Sequence, residues 1–153
     1  MKRYILLFAL VIGAFSSCKK ESSFDPAKQA ATDDAAIQAY IKANNITATK
    51  DPSGLYYQVI TPGTGNYPTA NSLVTVSYSG KLLNGTVFDS GNIQSSPLSG
   101  FIQGWKIGIP LINTGGRILL LVPSALGYGN AAYGSIPANS VLIFTVDLTG
   151  FSN

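Results

Sequence analysis

Histidine is absent from the 153 residues of this chain, and cysteine occurs once, at Cys18. Without histidine the chain has no Ser-His or Cys-His nucleophile pair, and it lacks the commonest side-chain ligand of metal ions. With one cysteine, neither an intrachain disulfide nor a cysteine-based metal site can form. We therefore expect no metal and no other cofactor, and any chemistry has to proceed without these groups.

Charge is also scarce, because charged side chains make up 11% of the sequence and the formal net charge is +3. Two of the positive charges, Lys2 and Arg3, lie at the extreme N-terminus. From residue 51 to residue 153, three basic side chains balance three acidic ones. A nucleic-acid-binding protein usually carries a basic stripe or patch. The charge distribution therefore indicates that no nucleic acid is a partner.

Apolar residues, in contrast, make up 46% of the sequence, and aromatic residues make up 10%. This content is sufficient for a packed core and is unlike that of a disordered chain. The length suits one domain with a targeting segment and a short extension. We predict a signal peptide over residues 1–17, a tether with an N-terminal helix over residues 18–52, and a single domain over residues 53–153.

The first residues have the pattern of an export signal. A positive stretch over residues 1–3 precedes an apolar run over residues 4–15, which two serines and then Cys18 follow. The apolar run is shorter than the ~20 residues that a transmembrane helix needs, so it indicates a signal peptide.

A cysteine directly after small residues at this position resembles a bacterial lipobox, although Phe15 stands where Leu is common. This resemblance implies that Cys18 is acylated and anchors the protein to a membrane of the cell envelope, facing the periplasm or the cell surface. The alternative is ordinary cleavage after Ser16, which leaves Cys18 as a free thiol.

The segment that begins at Pro26 predicts one helix. Proline suits the first helical turn, and Ile37, Tyr40 and Ile41 follow at helical spacing in a stretch rich in alanine, glutamine and lysine. We expect the helix to end near Asn44. Two roles stay open for it, namely a spacer that packs loosely on the domain and an arm for dimerisation.

From residue 53 onward, short strands alternate with turn residues. Strands are predicted over residues 55–60, 73–78, 118–122 and 141–148, and Asn84-Gly85 predicts a hairpin turn within residues 81–88.

One short helix fits near residues 101–109, where Ile102, Trp105 and Ile109 recur at spacings of three and four before Pro110. One helix among several antiparallel strands predicts an α+β fold, with a bent antiparallel sheet wrapped around that short helix and the N-terminal helix in front of it.

Five segments of this region occur in the order, and nearly at the spacing, found in FKBP-type peptidyl-prolyl cis/trans isomerases. They are Val76-Ser77-Tyr78-Ser79-Gly80, Val87-Phe88-Asp89-Ser90, Phe101-Ile102-Gln103-Gly104-Trp105, Val122-Pro123 through Gly127-Tyr128-Gly129, and Ile136-Pro137 with Leu142-Ile143-Phe144. Each segment alone is weak evidence, but five in order are specific. From about residue 54 to residue 151, the chain resembles this family.

The resemblance implies a hydrophobic pocket between the sheet and the short helix. Trp105 is expected to form the floor, with its indole under the ring of a substrate proline. The walls are implied to consist of Tyr78, Phe88, Phe101, Ile102 and Phe144. Asp89 at the rim and the hydroxyl of Tyr128 are the implied catalytic groups, and the backbone N–H of Ile136 is expected to donate to a carbonyl of the bound peptide. Asp89 either interacts with the polarised substrate amide or holds Tyr128, and the sequence leaves both roles open.

By the same resemblance, the function is peptidyl-prolyl cis/trans isomerisation that assists the folding of exported proteins. The implied partners are proline-containing peptides or unfolded exported proteins, and a macrolide is an implied ligand. Two alternatives stay open: a non-catalytic or chaperone-like module that captures proline-containing or apolar segments in the same pocket, and a surface adhesin or glycan-binding lipoprotein. The joint presence of Asp89, Tyr128 and Trp105 favours the isomerase.

The residues alone leave other roles open, because the aromatic side chains could be ordinary core, Asp89 a turn-former and Tyr128 a loop anchor. The chain also departs from the family pattern. The segment between Ser90 and Gly104 is shorter than in compact members, and an aromatic that usually lines the pocket falls at Gln94. These departures predict a looser or re-aimed side of the pocket, which argues against a macrolide ligand.

Overall fold

The computed structural model describes residues 24–153, so the predicted signal peptide and Cys18 lie outside the described residues. In chain order the elements are α1 (Pro26–Ala43), β1 (Thr49–Lys50), β2 (Tyr56–Thr61), β3 (Leu73–Leu82), β4 (Val87–Pro97), α2 (Gln103–Gly108), β5 (Gly116–Val122) and β6 (Leu142–Ser152). In this part of the chain, no helix has the length and apolar character needed to cross a membrane.

The six strands form one antiparallel sheet in the order β1-β2-β5-β6-β3-β4. Together with the N-terminal helix α1 and the short helix α2, this sheet confirms the predicted α+β fold. The predicted hairpin joins β3 to β4, because the Leu82 N–H donates to the Thr86 carbonyl at 2.9 Å and Gly85 has a φ of +88°. That positive φ is the reason why glycine suits the turn.

One face of the sheet packs against α2, and the glycines of α2 allow a close approach. A Cβ atom at Gly104 would lie 2.7 Å from Cγ1 of Val122, and one at Gly108 would overlap the side chain of Leu120. The helix therefore rests directly on β5. This contact holds Trp105, which α2 carries, inside the larger hydrophobic core.

The other face of the sheet packs against α1. Asp25 caps this helix by accepting hydrogen bonds from the N–H groups of Ala27 and Lys28 at 3.0 and 3.1 Å. Ile37 is completely buried in a second apolar cluster with Tyr56, Leu121, Val141 and Ile143. The helix ends at Ala43, close to the predicted end, and its buried residues are Asp33 and Ile37. Its role as a spacer or as an arm for dimerisation stays a prediction.

The predicted division at residue 53 falls between two paired strands, because Thr49 and Lys50 of β1 face Tyr57 and Tyr56 of β2. The segment of residues 18–52, predicted as a tether with an N-terminal helix, therefore contributes a short strand to the sheet. Where the domain begins along the chain stays a prediction.

Candidate functional site

A cavity of about 270 Å³ opens between α2 and the sheet. Residues from β3, β4, α2, β6 and the connections between β4 and α2 and between β5 and β6 line it, namely Tyr78, Asp89, Ile93, Gly100, Phe101, Ile102, Trp105, Tyr128, Tyr133 and Phe144. The fold thus brings together seven of the nine residues that the sequence assigns to the pocket. The remaining two, Phe88 and Ile136, line a smaller adjoining cavity.

Trp105 is the least exposed aromatic residue that lines the larger cavity, with 3% of its surface accessible. The ring centroids of Tyr78 and Phe144 lie 5.2 and 5.4 Å from that of Trp105, both nearly perpendicular to it. The Phe101 ring lies at 5.1 Å and is tilted by 35°. Edge-to-face contacts at these distances are favourable for aromatic rings, and here they hold the indole rigidly at the inner end of the cavity.

Gly80 of β3 makes room for the aromatic walls. A Cβ atom at this position would lie 2.7 Å from both Cε1 of Phe144 and Cζ of Phe88. Without that atom, the two rings meet edge to face with centroids 5.5 Å apart. The Phe88 ring therefore packs against the Phe144 ring, and it also lines the smaller cavity.

Asp89 is exposed at the rim, where its Oδ2 accepts a hydrogen bond of 2.6 Å from the Tyr78 hydroxyl. Burial of the phenol, followed by this hydrogen bond and by the charge of Asp89, raises the pKa of Tyr78 to about 12. The sequence left open whether Asp89 acts on the substrate amide or holds Tyr128. The observed partner, Tyr78, is a third arrangement that we did not consider.

Tyr128 and Tyr133 form the outer side of the cavity. Their rings stack with centroids 4.5 Å apart and an angle of 7° between the planes. Burial is the main cause that raises the pKa of the Tyr128 hydroxyl. Tyr133 remains 62% exposed, so an aromatic surface faces solvent at the mouth of the cavity.

The smaller adjoining cavity has a volume of about 170 Å³ and shares Asp89, Tyr128 and Tyr133 with the larger one. In this conformation the N–H of Ile136 donates to the Tyr133 carbonyl at 2.9 Å. The predicted donation to a bound peptide therefore needs this local bond to open first, because the donor is already in use.

Ile93 lines the cavity, and the sequence prediction missed it. Gln94, where the sequence comparison placed the loss of a pocket aromatic, is exposed and does not line the cavity. The reason is the period of two along β4, where Gly91 pairs with Tyr78 and Ile93 pairs with Val76, so that these two residues share the face of Asp89. Counting by two from Asp89 would have found Ile93.

The raised pKa of Tyr78 predicts a late tyrosine titration. The ultraviolet absorbance of phenolate is measured against pH for wild type and for Tyr78→Phe, and the difference between the two curves is the titration of Tyr78. Its midpoint should lie near pH 12. The neutral phenol is favoured in the folded state, so its contribution to stability is present below pH 10 and is lost as the pH rises through about 12. The exposed Tyr67, which does not line the cavity, provides the control Tyr67→Phe. A midpoint near 10 for Tyr78 contradicts both the burial of this phenol and its bond to Asp89.

The family described as FKBP-type peptidyl-prolyl cis-trans isomerase matches residues 65–149, a range that includes all nine predicted pocket residues. Among curated proteins, the FKBP-type peptidyl-prolyl cis-trans isomerase FkpA of Aeromonas hydrophila is 42% identical over 116 residues, or 73% of this chain and 42% of that protein. FkpA of Escherichia coli strain K12 is 42% identical over 100 residues, or 63% of this chain and 37% of that protein. The chain spans less than half of the length of these relatives.

Two solved structures of similar proteins also superpose on this chain. The crystal structure of FkpA from Escherichia coli superposes with a TM-score of 0.72 and 34% identity, covering 82% of this chain and 62% of that one. A peptidyl-prolyl cis-trans isomerase from Pseudomonas syringae pv. tomato superposes with a TM-score of 0.67 and 26% identity, covering 86% of this chain and 99% of that one.

Proposed function

Because the chain belongs to the FKBP-type peptidyl-prolyl cis-trans isomerase family, we propose that it accelerates rotation about X-Pro peptide bonds in proteins that fold outside the cytoplasm. Uncatalysed X-Pro isomerisation takes tens to hundreds of seconds and can limit folding. An enzyme for this reaction needs no nucleophile and no metal, which agrees with a chain that has no histidine and one cysteine.

The physical argument starts from the amide itself. Resonance makes the planar amide polar and sets a rotation barrier of ~18–20 kcal/mol. The resonance is lost in the twisted state, so that state is less polar and water stabilises it less than it stabilises the planar form. A cavity that replaces water with aromatic rings around the amide therefore stabilises the twisted state relative to the planar one.

One observation carries the proposal: a cavity of about 270 Å³ lies beside a nearly buried indole whose neighbours are three further aromatic rings. Had Trp105 been enclosed in the core with no cavity next to it, no prolyl ring could reach it. The polar groups at the mouth are few, which is typical of a site where a small number of groups fix orientation and apolar surface supplies the contact. In this proposal Tyr128 and Asp89 are those groups.

The test is the rate of cis-to-trans conversion of a short X-Pro peptide with and without the protein. Catalysis requires a rate that rises in proportion to the protein concentration. A non-catalytic binding module would bind the same peptide in a calorimetric titration and leave the rate at its uncatalysed value, which would overturn the proposal. A macrolide added to the assay should inhibit weakly, because the segment between Ser90 and Gly104, which supplies Ile93 and Phe101 to the cavity, is shorter than in compact members of the family.

We also propose that Cys18 is acylated and holds this isomerase on a membrane of the cell envelope. The support is the position of the single cysteine, which follows two serines at the end of an apolar run that is too short to span a membrane. Seven residues separate Cys18 from Pro26, the first residue of α1. Acyl chains contribute ~0.8 kcal/mol per buried CH₂ group, and stable anchoring takes more than one chain.

Replacing Cys18 is expected to release the protein from the membrane. Expressed as the full chain in a Gram-negative bacterium, wild type should sediment with the membranes and carry an acylated N-terminal cysteine by mass spectrometry. Cys18→Ser should be found in the soluble envelope fraction and should retain wild-type isomerase activity. Ser17→Ala, which keeps the thiol and a small residue, serves as the control. Unmodified Cys18 in the mature protein would contradict the anchor.

A further inference from the structure

Asp33 is a carboxylate on α1 that is almost completely buried, with 2% of its surface accessible. Its Oδ2 accepts two hydrogen bonds from Ser124, at 2.8 Å from the backbone N–H and at 2.6 Å from the hydroxyl. Its Oδ1 accepts a third bond of 2.7 Å from Nε2 of Gln29. A charge is costly to bury unless such partners satisfy it. The isomerase chemistry described above makes no use of this group.

Ser124 is the second residue of the connection between β5 and β6, which contains Tyr128 and Tyr133. The Ser124 carbonyl accepts hydrogen bonds from the N–H groups of Gly127 at 3.0 Å and Gly129 at 2.8 Å. Tyr128 lies between these two glycines. The carboxylate of Asp33 is therefore linked through a single residue to the backbone on both sides of Tyr128.

The connection between β5 and β6 has little regular structure of its own. It runs from residue 123 to residue 141 and contains no strand of the sheet, only the short 3₁₀ turn Ser124–Leu126 and one isolated bridge. Within it, the N–H of Asn139 donates to the Gly129 carbonyl at 2.9 Å, which joins its second half to the segment that Ser124 holds. Long connections without strands are mobile unless other contacts fix them. Here a buried side chain of α1 supplies such a contact.

We propose that Asp33 is a positioning residue of the isomerase site: through Ser124 it fixes the connection that presents Tyr128 and Tyr133 to the cavity. This role rests on the proposed function. In this role Asp33 makes α1 contribute to the geometry of the site, although the helix packs on the opposite face of the sheet and lines no part of the larger cavity.

The neighbouring Asp34 provides a matched control. Its carboxylate also joins α1 to the rest of the protein, but through the Tyr56 hydroxyl at 2.8 Å and an ion pair with Lys50 at 2.6 Å, and neither partner belongs to the connection between β5 and β6. Asp34→Ala therefore weakens the docking of α1 and leaves Ser124 in place. Asp33→Asn keeps an oxygen that can accept from Ser124, so it tests rescue by a conservative change.

The experiment measures kcat/KM for a short X-Pro peptide at a temperature where circular dichroism shows every variant folded. Asp33→Ala should lower kcat/KM about fivefold, less than the ~10²-fold that a 1 Å misplacement can cost. Asp33→Asn and Asp34→Ala should stay within about twofold of wild type, because both keep a side-chain oxygen at residue 33 that accepts from Ser124. If Asp33→Ala does not fold, Ser124→Ala, which keeps the backbone N–H bond, should show a smaller decrease in the same direction.

Amide hydrogen exchange provides a readout that does not depend on activity. In Asp33→Ala the amides of Gly129 and Asn139 should exchange faster, and in Asp34→Ala they should exchange as in wild type. The positioning role of Asp33 is overturned if Asp33→Ala keeps wild-type kcat/KM and wild-type exchange at these amides. It is also overturned if Asp34→Ala lowers kcat/KM, or speeds exchange at these amides, as much as Asp33→Ala does. A wild type without isomerase activity overturns the proposed function, and faster exchange in Asp33→Ala would then show that the attachment itself exists.

Discussion

Replacing Trp105 by alanine is expected to remove isomerase activity almost completely and to lower the free energy of unfolding by about 3–5 kcal/mol, the usual cost of deleting a buried aromatic side chain. The ring is 3% exposed and touches Tyr78, Phe101 and Phe144, so its loss enlarges the cavity and frees three other rings to move. Urea denaturation followed by circular dichroism measures the stability, and the X-Pro peptide assay measures the activity.

Two further variants separate the loss of the site from the loss of stability. Ile109→Ala removes a completely buried side chain that lies just after α2 and does not line the cavity. It should lower stability by about 2–5 kcal/mol and keep the activity of the folded fraction. Trp105→Phe keeps an aromatic ring and deletes the indole N–H, which has no hydrogen-bond partner within residues 24–153. Trp105→Ala with wild-type activity would exclude the indole from the mechanism.

Replacing Asp89 by alanine is expected to lower kcat/KM about tenfold, which corresponds to ~1.4 kcal/mol of transition-state stabilisation. A hydrogen bond to a charged group contributes about 1.5–3 kcal/mol, and the exposure of Asp89 to water places this bond near the lower limit. Without the carboxylate, the Tyr78 hydroxyl turns toward water and one wall of the cavity loses its fixed orientation. Stability should fall by about 1.5 kcal/mol or less, because the same hydrogen bond is lost from the folded state and the carboxylate lies at the surface.

Two related variants show how Asp89 acts. Asp89→Asn keeps an oxygen that can accept from the Tyr78 hydroxyl but removes the charge, whereas Tyr78→Phe removes the donor and keeps the charge. If the hydrogen bond orients the wall, Asp89→Asn retains most of the activity and Tyr78→Phe loses about as much as Asp89→Ala. The opposite pattern, with an inactive Asp89→Asn and an active Tyr78→Phe, would mean that the charge itself acts on the substrate amide.

The parts of this protein that could be predicted from sequence are those that local periodicity controls. Trp105 falls on the apolar stripe of α2, and Phe144 and Tyr78 fall on the apolar faces of β6 and β3, because side chains repeat every 3.6 residues in a helix and every two in a strand. The hairpin at Gly85 follows from the positive φ that glycine tolerates. These rules involve only neighbours along the chain.

The parts that could not be predicted depend on contacts between distant segments. Asp89 bonds to Tyr78 rather than to Tyr128 because the register of β3 and β4 brings the two side chains together at the rim. Tyr133 stacks on Tyr128 across a connection that has no sequence periodicity. The N–H of Ile136 is taken up by a turn inside the same connection.

The spacing of apolar side chains along the amino-acid sequence was enough to predict the α+β fold. The aromatic residues that face the cavity were predicted from the five segments whose order resembles that of the FKBP family. Only the tertiary structure decided which polar groups meet, above all that the buried carboxylate of Asp33 bonds to Ser124, 91 residues away. The physical reason is the distance along the chain over which each effect acts. Periodicity acts over a few residues, whereas a hydrogen bond between remote side chains forms only after packing has placed both groups within about 3 Å of each other.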